Sequence, residues 1–548
     1  MKTMNIRRFM SCTLASCLLM WGVLGLTGCA DSEHIDEYQY NEKAASADST
    51  KTPDPEYSDK ITEKLRAIPG ISDIEVQTSS TNEKKVGYFF NVEQQVDHND
   101  PSMGTFNQRC YLEFAGFDRP VVLDTEGYYL SKTINEITDE DLTKYLQANF
   151  IIVEHRYFGT SLPEDIQDTN FTYFYADQAA ADLHAIVTLL QKHLFPRTNK
   201  WVAMGVSKGG INATLYAYFS DQNGWDDIDL FVPFCAPFIK GTASSCLDDG
   251  IGKYLLSVCG KGYPEGSEEY EARQRLLAIP SAISAHKELR DACLRQFHQI
   301  DPEYYLDILD HYNGDELEKA ATAGVIFKFY ENLFTYFAYL PYSYWAHLVP
   351  DPVRAVAEDA SEEELRAVVE FVFMGCSELS KRYSDYQSDT KATRAHWDDN
   401  TIRTKRKEDR TLPYSLQAYR ELGYFVFDYS MVDGTWLTPQ FASQVGYLQT
   451  VEDMFCNRYP GQWDGGQLMT AIHNWAKTQN TKPIIFVYSY NDPWTGAAIE
   501  DAAADPSRKV WKVLRLIGTH SGDFLDPYRC EDQASQAIKD AINSVLGL

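Results

Sequence analysis

The chain has 548 residues, of which 44% are hydrophobic and 13% aromatic, so it can bury a large core and is too long for a single small module. Lys and Arg together number 50 against 79 Asp and Glu, which gives a formal charge of −29. Such a charge repels polyanions, and we therefore expect no nucleic-acid partner.

The N-terminus has the layout of an export signal. A basic stretch at residues 2–8 precedes an apolar stretch at residues 9–26, as in secretory leaders. The sequence LTGC, which ends at Cys29, resembles the bacterial lipobox, in which the leader is cleaved before a lipidated cysteine. An uncleaved membrane helix is the alternative. We predict a signal peptide over residues 1–28, acyl chains such as palmitate on Cys29, and a place in the bacterial cell envelope outside the cytoplasm, at the outer membrane.

The segment that follows the leader differs in composition from the rest of the chain. Residues 29–57 are rich in Ser, Asp, Glu, Ala and Pro and show no apolar periodicity, which predicts a flexible acidic tether. Beyond it, apolar runs and helical spacing alternate. The predicted elements are strands within 110–122, 149–153 and 201–204 and helices over 175–194 and 209–219. This alternation predicts a largely parallel sheet with helices on its faces.

The same alternation returns at the far end of the chain, with strands predicted at 483–488 and 510–517 and a closing helix at 533–546. Between these two parts the apolar spacing is helical. The patterns there cover residues 270–277, 285–297, 316–339, 362–373 and 414–422. We therefore predict a sheet domain formed by residues 58–236 and 481–548, with a mostly helical insertion at residues 237–480.

A nucleophile motif lies between a predicted strand and a predicted helix. Strand 201–204 runs directly into residues 205–210, GVSKGG, which fit the G-x-S-x-G elbow in the context that the motif requires. The glycines remove side chains that would clash in so tight a turn, and the following helix N-terminus favours negative charge. The motif predicts Ser207 as the nucleophile of acyl transfer.

A serine nucleophile needs a base and a carboxylate that orients the base. Asp492 follows strand 483–488, and His520 follows strand 510–517. The alternatives are a turn-capping aspartate and a surface histidine, but the chain order Ser, Asp, His is that of the α/β-hydrolases. We therefore predict this fold, with a large helical cap inserted before the strands that carry Asp492 and His520. No metalloprotease, phosphate-loop or dinucleotide motif is present in the sequence, so we expect no cofactor and no metal.

The oxyanion hole is expected to use the backbone N–H of Lys208 and a second N–H from a loop after an early strand. Residues 124–128, DTEGY, are the candidate loop, with Gly127 and Tyr128 as the candidate donors. Gly127 permits a close backbone approach. An ordinary turn is the alternative.

Charged residues near these loops are candidates for substrate contact. Glu154 and Arg156 follow a strand, and we favour a structural ion pair over contact with substrate. A peptide's terminal ammonium needs an anionic or carbonyl partner when it is buried. The sequence leaves open which acid supplies it: the candidates are Glu126, Glu154, Asp248 and Asp249.

The cysteines show no metal-binding or redox spacing. Eight follow Cys29. They are Cys110, Cys235, Cys246, Cys259, Cys293, Cys376, Cys456 and Cys530. An even number in an oxidising compartment permits disulfides, whose pairing the sequence leaves open.

Four segments resemble the secreted tripeptidyl-aminopeptidase family of serine peptidases. They are residues 116–120 (GFDRP), 153–158 (VEHRYF), 205–210 (GVSKGG) and 491–494 (NDPW). The similarity extends from Val86 to Gly522 and is thin in the insertion. Residues 154–163, EHRYFGTSLP, are also similar to the prolyl carboxypeptidase and dipeptidyl-peptidase family. That family has Tyr in place of Lys208, which leaves the preference at the residue before the cleaved bond open.

The resemblance implies a triad of Ser207, Asp492 and His520 under a helical cap. It also implies an exopeptidase that releases di- or tripeptides from the N-termini of short peptides through an acyl-enzyme. A lipase or carboxylesterase of the same fold is a second interpretation, because the same triad attacks esters. A non-catalytic glycan-binding surface lipoprotein is a third, and the nucleophile elbow argues against it. We expect peptides and, through Cys29, the membrane as partners, while the oligomeric state stays open.

Overall fold

Nine strands form one sheet in the described part of the chain. They are β1 (Ile71–Thr78), β2 (Val86–Gln95), β3 (Thr105–Glu113), β4 (Val121–Asp124), β5 (Asn149–Val153), β6 (Trp201–Val206), β7 (Leu230–Phe234), β8 (Ile484–Ser489) and β9 (Val510–Arg515). Their order is β1-β2-β3-β5-β4-β6-β7-β8-β9. The pairs β1–β2, β2–β3 and β3–β5 are antiparallel, and all neighbours from β5 to β9 are parallel. From β2 onward this is the α/β-hydrolase sheet, and the predicted fold class is confirmed.

The structure is a computed structural model, and it describes most of the chain from Pro55 onward. The described residues are 55–80, 85–137, 141–163, 171–239, 263–300, 302–339, 342, 346–373, 411–423, 464–490, 492–515, 520 and 533–548. The predicted signal peptide, Cys29 and the tether as far as residue 54 lie outside them. Cys110, Cys235 and Cys293 lie within them as free buried thiols.

Among the described residues, six helices pack on the two faces of the sheet. They are α1 (Pro55–Arg66), α2 (Asp141–Leu146), α3 (Ala176–His193), α4 (Lys208–Asn223), α11 (Gln467–Thr478) and α12 (Gln533–Leu546). Helices α1, α3, α4 and α11 share one apolar core with the sheet, and α2 and α12 share the other. Strands β5, β7 and β8 are buried along their whole length, as expected for parallel strands covered on both faces.

The segment between β7 and β8 is mostly helical where the structure describes it. Its helices are α5 (Glu268–Ala285), α6 (Lys287–Ile300), α7 (Pro302–His311), α8 (Gly314–Tyr339), α9 (Glu362–Val372) and α10 (Thr411–Gln417), followed by a π-helical turn at Ala418–Leu422. Helices α5 to α9 form an apolar core of their own, which also contains Trp494 and Ala497 from the loop after β8. These helices therefore contact the loop that begins at Asp492.

Two elements depart from the predicted domain division. Helix α1 begins at Pro55, inside the segment that we predict to be a tether. Helix α11 falls within the predicted insertion, yet its buried residues Met469, Ile472 and Trp475 pack on the sheet. In the described part of the chain, no helix has the length and apolar character that crossing a bilayer requires.

Candidate active site

Ser207 occupies a sharp turn between β6 and α4. Its backbone has φ 57° and ψ −118°, a conformation that non-glycine residues rarely adopt. The Ser207 N–H donates to the carbonyl of Phe234 at 2.9 Å, which ties the turn to the end of β7. Non-glycine residues in such conformations cluster at functional sites, where surrounding contacts maintain them. The predicted elbow is therefore present in the fold.

The elbow leaves no room for side chains at its glycines. A Cβ on Gly205 would lie 2.4 Å from the carbonyl carbon and oxygen of Gly209 and 2.7 Å from Oγ1 of Thr125. A Cβ on Gly210 would lie 2.7 Å from the carbonyl oxygen of Phe234. The obstructing atoms are mostly backbone, which cannot move aside as a flexible side chain can.

Asp492 and His520 form a buried pair. Nδ1 of His520 lies 2.8 Å from Oδ2 of Asp492, and both side chains are fully buried. The other oxygen of Asp492 accepts the N–H of Trp494 at 2.9 Å, and the Trp494 ring stacks on the imidazole with centroids 4.1 Å apart. Because the ionised carboxylate only accepts, Nδ1 carries the proton and Nε2 is the basic nitrogen.

Parallel strands bring these residues to one edge of the sheet. Ser207 follows β6, while Asp492 and His520 come after the carboxyl ends of β8 and β9. All three strands run in the same direction. The predicted nucleophile therefore lies at the same sheet edge as the buried Asp–His pair.

The predicted oxyanion loop packs directly on the elbow. A Cβ on Gly127 would lie 2.9 Å from both the backbone nitrogen of Gly209 and Cβ of Lys208. Nζ of Lys208 donates to the carbonyl of Gly127 at 2.6 Å. The Tyr128 N–H donates to Oε1 of Glu126 at 3.0 Å, so this predicted donor is engaged within its own loop.

Comparison with known proteins finds this chain similar to serine peptidases. A model of the family described as PS-10 peptidase S37 matches residues 54–246, which include the elbow and the loop of Gly127. A prolyl tri/tetrapeptidyl aminopeptidase of Streptomyces mobaraensis is 24% identical over 486 residues, which cover 88% of this chain and 83% of the relative. The chain is a serine peptidase. The predicted resemblance to the tripeptidyl-aminopeptidase family and the predicted aminopeptidase class are confirmed.

Two further matches are weaker, one in the share of the chain that it covers and the other in sequence identity. The serine protease vicPb of Bipolaris victoriae is 27% identical over 206 residues, which cover 33% of this peptidase and 39% of that protein. A solved hydrolase structure from Legionella pneumophila covers 89% of this peptidase and 94% of its own chain, at 11% identity and a TM-score of 0.33.

Glu154 lies inside the peptidase, where its carboxylate holds a loop together. It accepts hydrogen bonds from the backbone N–H groups of Leu130, Thr160 and Ser161 at 2.8 to 3.0 Å. The Ser161 hydroxyl also donates to it at 2.8 Å. Burial raises the pKa of Glu154, and these hydrogen bonds oppose that rise. The carboxylate is therefore committed to internal contacts.

Arg156 is paired with Asp182 of α3 and not with Glu154. Its Nε and Nη2 donate to the two oxygens of Asp182, both at 2.7 Å, and its side chain is fully buried. Nη1 also donates to the carbonyls of Val96 and Tyr173. The predicted ion pair between Glu154 and Arg156 is wrong, because each has other partners. The charged ends of both side chains are engaged by internal partners.

Cys235 is a site residue that the sequence analysis missed. It follows β7, and its sulfur, a carboxylate oxygen of Asp492 and a ring nitrogen of His520 all lie within 4.8 Å of one another. Burial, and then the charge of Asp492, raise the pKa of the thiol well above its usual value, so the thiol keeps its proton and donates to Asp492. Three such atoms have the chemistry of zinc ligands. The only sequence signal for a role of Cys235 is that it directly follows an apolar run, residues 230–234.

Thr125 was also missed. Its hydroxyl oxygen lies 2.9 Å from the carbonyl oxygen of Met204 and 2.8 Å from that of Gly209, on either side of the elbow.

Of the candidate acids, Glu126 is half-buried beside Lys208, while Asp248 and Asp249 lie outside the described residues.

Proposed function

We propose that this peptidase is a membrane-tethered serine exopeptidase that removes di- or tripeptides from the N-termini of short peptides. In this proposal Ser207 is the nucleophile, His520 is the base and Asp492 orients the base. The observation that carries it is the buried hydrogen bond between Asp492 and His520, at the sheet edge where Ser207 follows β6 in its unusual conformation.

The proposed reaction uses the basic nitrogen of His520 twice. Oγ of Ser207 bonds to the carbonyl carbon of the substrate while Nε2 of His520 takes the hydroxyl proton. The tetrahedral intermediate then breaks its C–N bond, and His520 gives the proton to the departing amine. Water repeats the sequence on the ester, which releases the N-terminal fragment and restores the serine. Asp492 stabilises the imidazolium in both halves without accepting the proton.

The oxyanion is proposed to accept hydrogen bonds from two backbone N–H groups. One belongs to Lys208, the first residue of α4, and the other to Gly127, whose nitrogen lies next to the elbow. Such preorganised donors typically contribute about 10²–10³ to kcat each. Tyr128 is not assigned this role because its N–H donates to Glu126.

Restricted access supports action on chain ends. The core formed by α5 to α9 includes Trp494, which stacks on His520, so the inserted helices lie against the catalytic loop. The relative from Streptomyces mobaraensis is named for releasing tri- and tetrapeptides. We assign recognition of the substrate's terminal ammonium to Glu126, because it is half-buried beside the elbow while Glu154 is internal.

The membrane tether is proposed from the LTGC sequence at Cys29 alone. Several acyl chains on one cysteine would hold the protein on a membrane durably, since each buried CH₂ contributes ~0.8 kcal/mol. Replacing Cys29 by Ser should remove the acyl chains and release the protein from the membrane fraction. An unacylated mature N-terminus in the wild type would contradict the proposal.

Paired peptide substrates test the exopeptidase proposal. Acetylation removes the N-terminal charge, so kcat/KM should fall by at least about tenfold relative to the free peptide, which corresponds to ~1.4 kcal/mol. In Glu126→Gln this ratio should shrink, because the free peptide loses its anionic partner. Mass spectrometry of the products gives the length of the released fragment.

Two results would overturn parts of the proposal. Equal turnover of free and acetylated peptides, or cleavage inside a casein-sized chain, would contradict the exopeptidase assignment and leave the serine nucleophile standing. Hydrolysis of esters with no cleavage of any peptide would favour a carboxylesterase of the same fold instead.

A further inference from the structure

The side chain of Lys208 joins the elbow to the oxyanion loop. Lys208 is the first residue of α4, directly after Ser207, and is 1% exposed. Its Nζ donates to the carbonyl of Gly127 at 2.6 Å. A charged nitrogen that is buried next to a nucleophile has a large desolvation cost, and its partners indicate what it does there.

Two aromatic rings complete the environment of this nitrogen. Nζ of Lys208 lies 5.4 Å from the ring centroid of Tyr128 and 5.1 Å from that of Phe158. At these distances the faces of aromatic rings attract a cation. Tyr128 belongs to the oxyanion loop itself, so Lys208 contacts that loop through both a backbone carbonyl and a side chain.

Burial and the charge of Glu126 shift the pKa of Lys208 in opposite directions. The carboxylate of Glu126, from the oxyanion loop, favours the ammonium form. His155, which follows β5, is buried, and its pKa lies well below the usual value because of burial and of the nearby Lys208. His155 is therefore neutral and adds no repulsion. Burial outweighs Glu126 and lowers the pKa of Lys208 to about 7.

The bond to Gly127 sets the direction of a peptide plane. In a trans peptide the C=O and the following N–H point to opposite sides. With the Gly127 carbonyl directed at Lys208, the Tyr128 N–H points away and meets Glu126. The Gly127 N–H belongs to the preceding peptide and stays beside the elbow, where a Cβ on Gly209 would lie 3.6 Å from it.

We propose that Lys208 is a positioning residue for the reaction: its side chain holds the Gly127 peptide so that the oxyanion loop faces Ser207, and its positive charge stabilises the oxyanion. The proposal rests on the proposed function, and adds to it a role for a side chain where only the backbone N–H was assigned. The hydrogen bond to Gly127 positions the loop whether or not Lys208 is protonated, because a neutral amine also donates. The charge acts only while the amine is protonated.

The proposal predicts an alkaline limb in the rate profile. A lowered pKa means that Lys208 carries its charge below about pH 7 and loses it above. Since negative charge develops in the transition state, the rate of acylation should decline as pH rises through this range. Labelling by a fluorophosphonate isolates the effect, because the probe has no amine that titrates.

The test compares three variants by labelling rate from pH 5.5 to 9.5 and by steady-state hydrolysis. Lys208→Met should lower kcat by at least about tenfold, change KM less, and lose the alkaline limb. Lys208→Arg keeps a permanent charge and should move the limb above the tested range. Lys85→Met is the matched control, since Lys85 is also buried and donates to a carbonyl, that of Ile137. It should keep the wild-type profile.

Each outcome decides the matter. An alkaline limb that persists in Lys208→Met, or a kcat equal to that of Lys85→Met, would overturn the role of Lys208. If Lys208→Met does not fold, Lys208→Arg carries the test, and an unshifted limb in that variant overturns the role as well. A wild-type protein that is neither labelled nor active on peptides would instead refute the proposed function.

Discussion

At the scale of single residues, the elbow requires glycines because it has no room for side chains at their positions. A Cβ on Gly205 would lie 2.4 Å from the carbonyl group of Gly209. Any side chain at this position would therefore force the turn open. Ser207, at φ 57°, lies between the end of β6 and the start of α4, where its backbone N–H donates to Phe234. The position of Ser207 is therefore determined by its neighbours.

Replacing Gly205 by Ala should abolish fluorophosphonate labelling and lower the midpoint of thermal unfolding. The added methyl group would contact backbone atoms, which cannot yield without shifting β6 or α4. Gly224→Ala is the matched control, since a Cβ on Gly224 meets nothing within 4 Å although φ is +69° there. The control should show only the cost of a left-handed residue, about 1–2 kcal/mol, with labelling intact. Normal labelling of Gly205→Ala would contradict the geometry.

The sequence predicts Ser207, Asp492 and His520 as site residues because each belongs to a local pattern that a strand end makes recognisable. It does not predict the contacts that surround them. Cys235 approaches Asp492, and Lys208 reaches Gly127, across long stretches of chain. Such pairings are decided by the sheet order, which no local pattern records.

At the scale of elements, the ion pair of Arg156 and Asp182 fixes the end of β5 to α3. Both side chains are almost wholly buried, and Asp182 also contacts His98 at 2.7 Å. The sequence suggested a partner two residues away because Glu154 has the right charge. In the structure, however, the loop from Tyr157 to Ser161 folds back and donates hydrogen bonds to Glu154. Helix α3 supplies the carboxylate that pairs with Arg156.

Arg156→Met should destabilise the fold by about 3–5 kcal/mol, because it leaves the carboxylate of Asp182 buried without its main partner. Denaturant unfolding measures the loss, and KM of the folded fraction should stay near the wild-type value. Arg354→Met removes an exposed arginine that pairs with Asp359 and Glu364 and should leave the midpoint unchanged. A raised KM with unchanged stability would instead favour contact between Arg156 and substrate.

Several elements lie where the sequence predicts them. Strands β6, β8 and β9 and helices α3 and α12 lie within a few residues of their predicted bounds. Strands β1, β2 and β7 were not predicted. Strand β1 lies at the sheet edge, is largely solvent-exposed and is rich in polar residues. The far end of β9 as predicted, residues 516 and 517, lies outside the described residues.

At the scale of the whole molecule, the helices of the insertion and the sheet have separate apolar cores. Trp494 belongs to the core of the inserted helices while its backbone N–H holds Asp492. Packing of the insertion and orientation of Asp492 are therefore connected through one residue. The sequence predicted the insertion from its helical spacing, whereas this connection depends on tertiary contacts.

The burial of Lys208 makes global stability depend on pH in a definite direction. The pKa of Lys208 falls to about 7 in the fold from 10.5, so between these values the unfolded chain binds more protons than the folded one. Stability then rises with pH across this window. The difference in unfolding free energy between the wild type and Lys208→Met should therefore shift in favour of the wild type from pH 7 to 10. A constant difference would contradict the burial of the amine.

The most direct test of the central claim is the site of covalent labelling. The folded wild-type protein, treated with a fluorophosphonate, digested and analysed by mass spectrometry, should carry the adduct on Ser207, and Ser207→Ala should carry none while keeping its unfolding midpoint. An adduct on another serine, labelling that persists in Ser207→Ala, or a folded wild-type protein that is never labelled would contradict the assignment of Ser207 as the nucleophile.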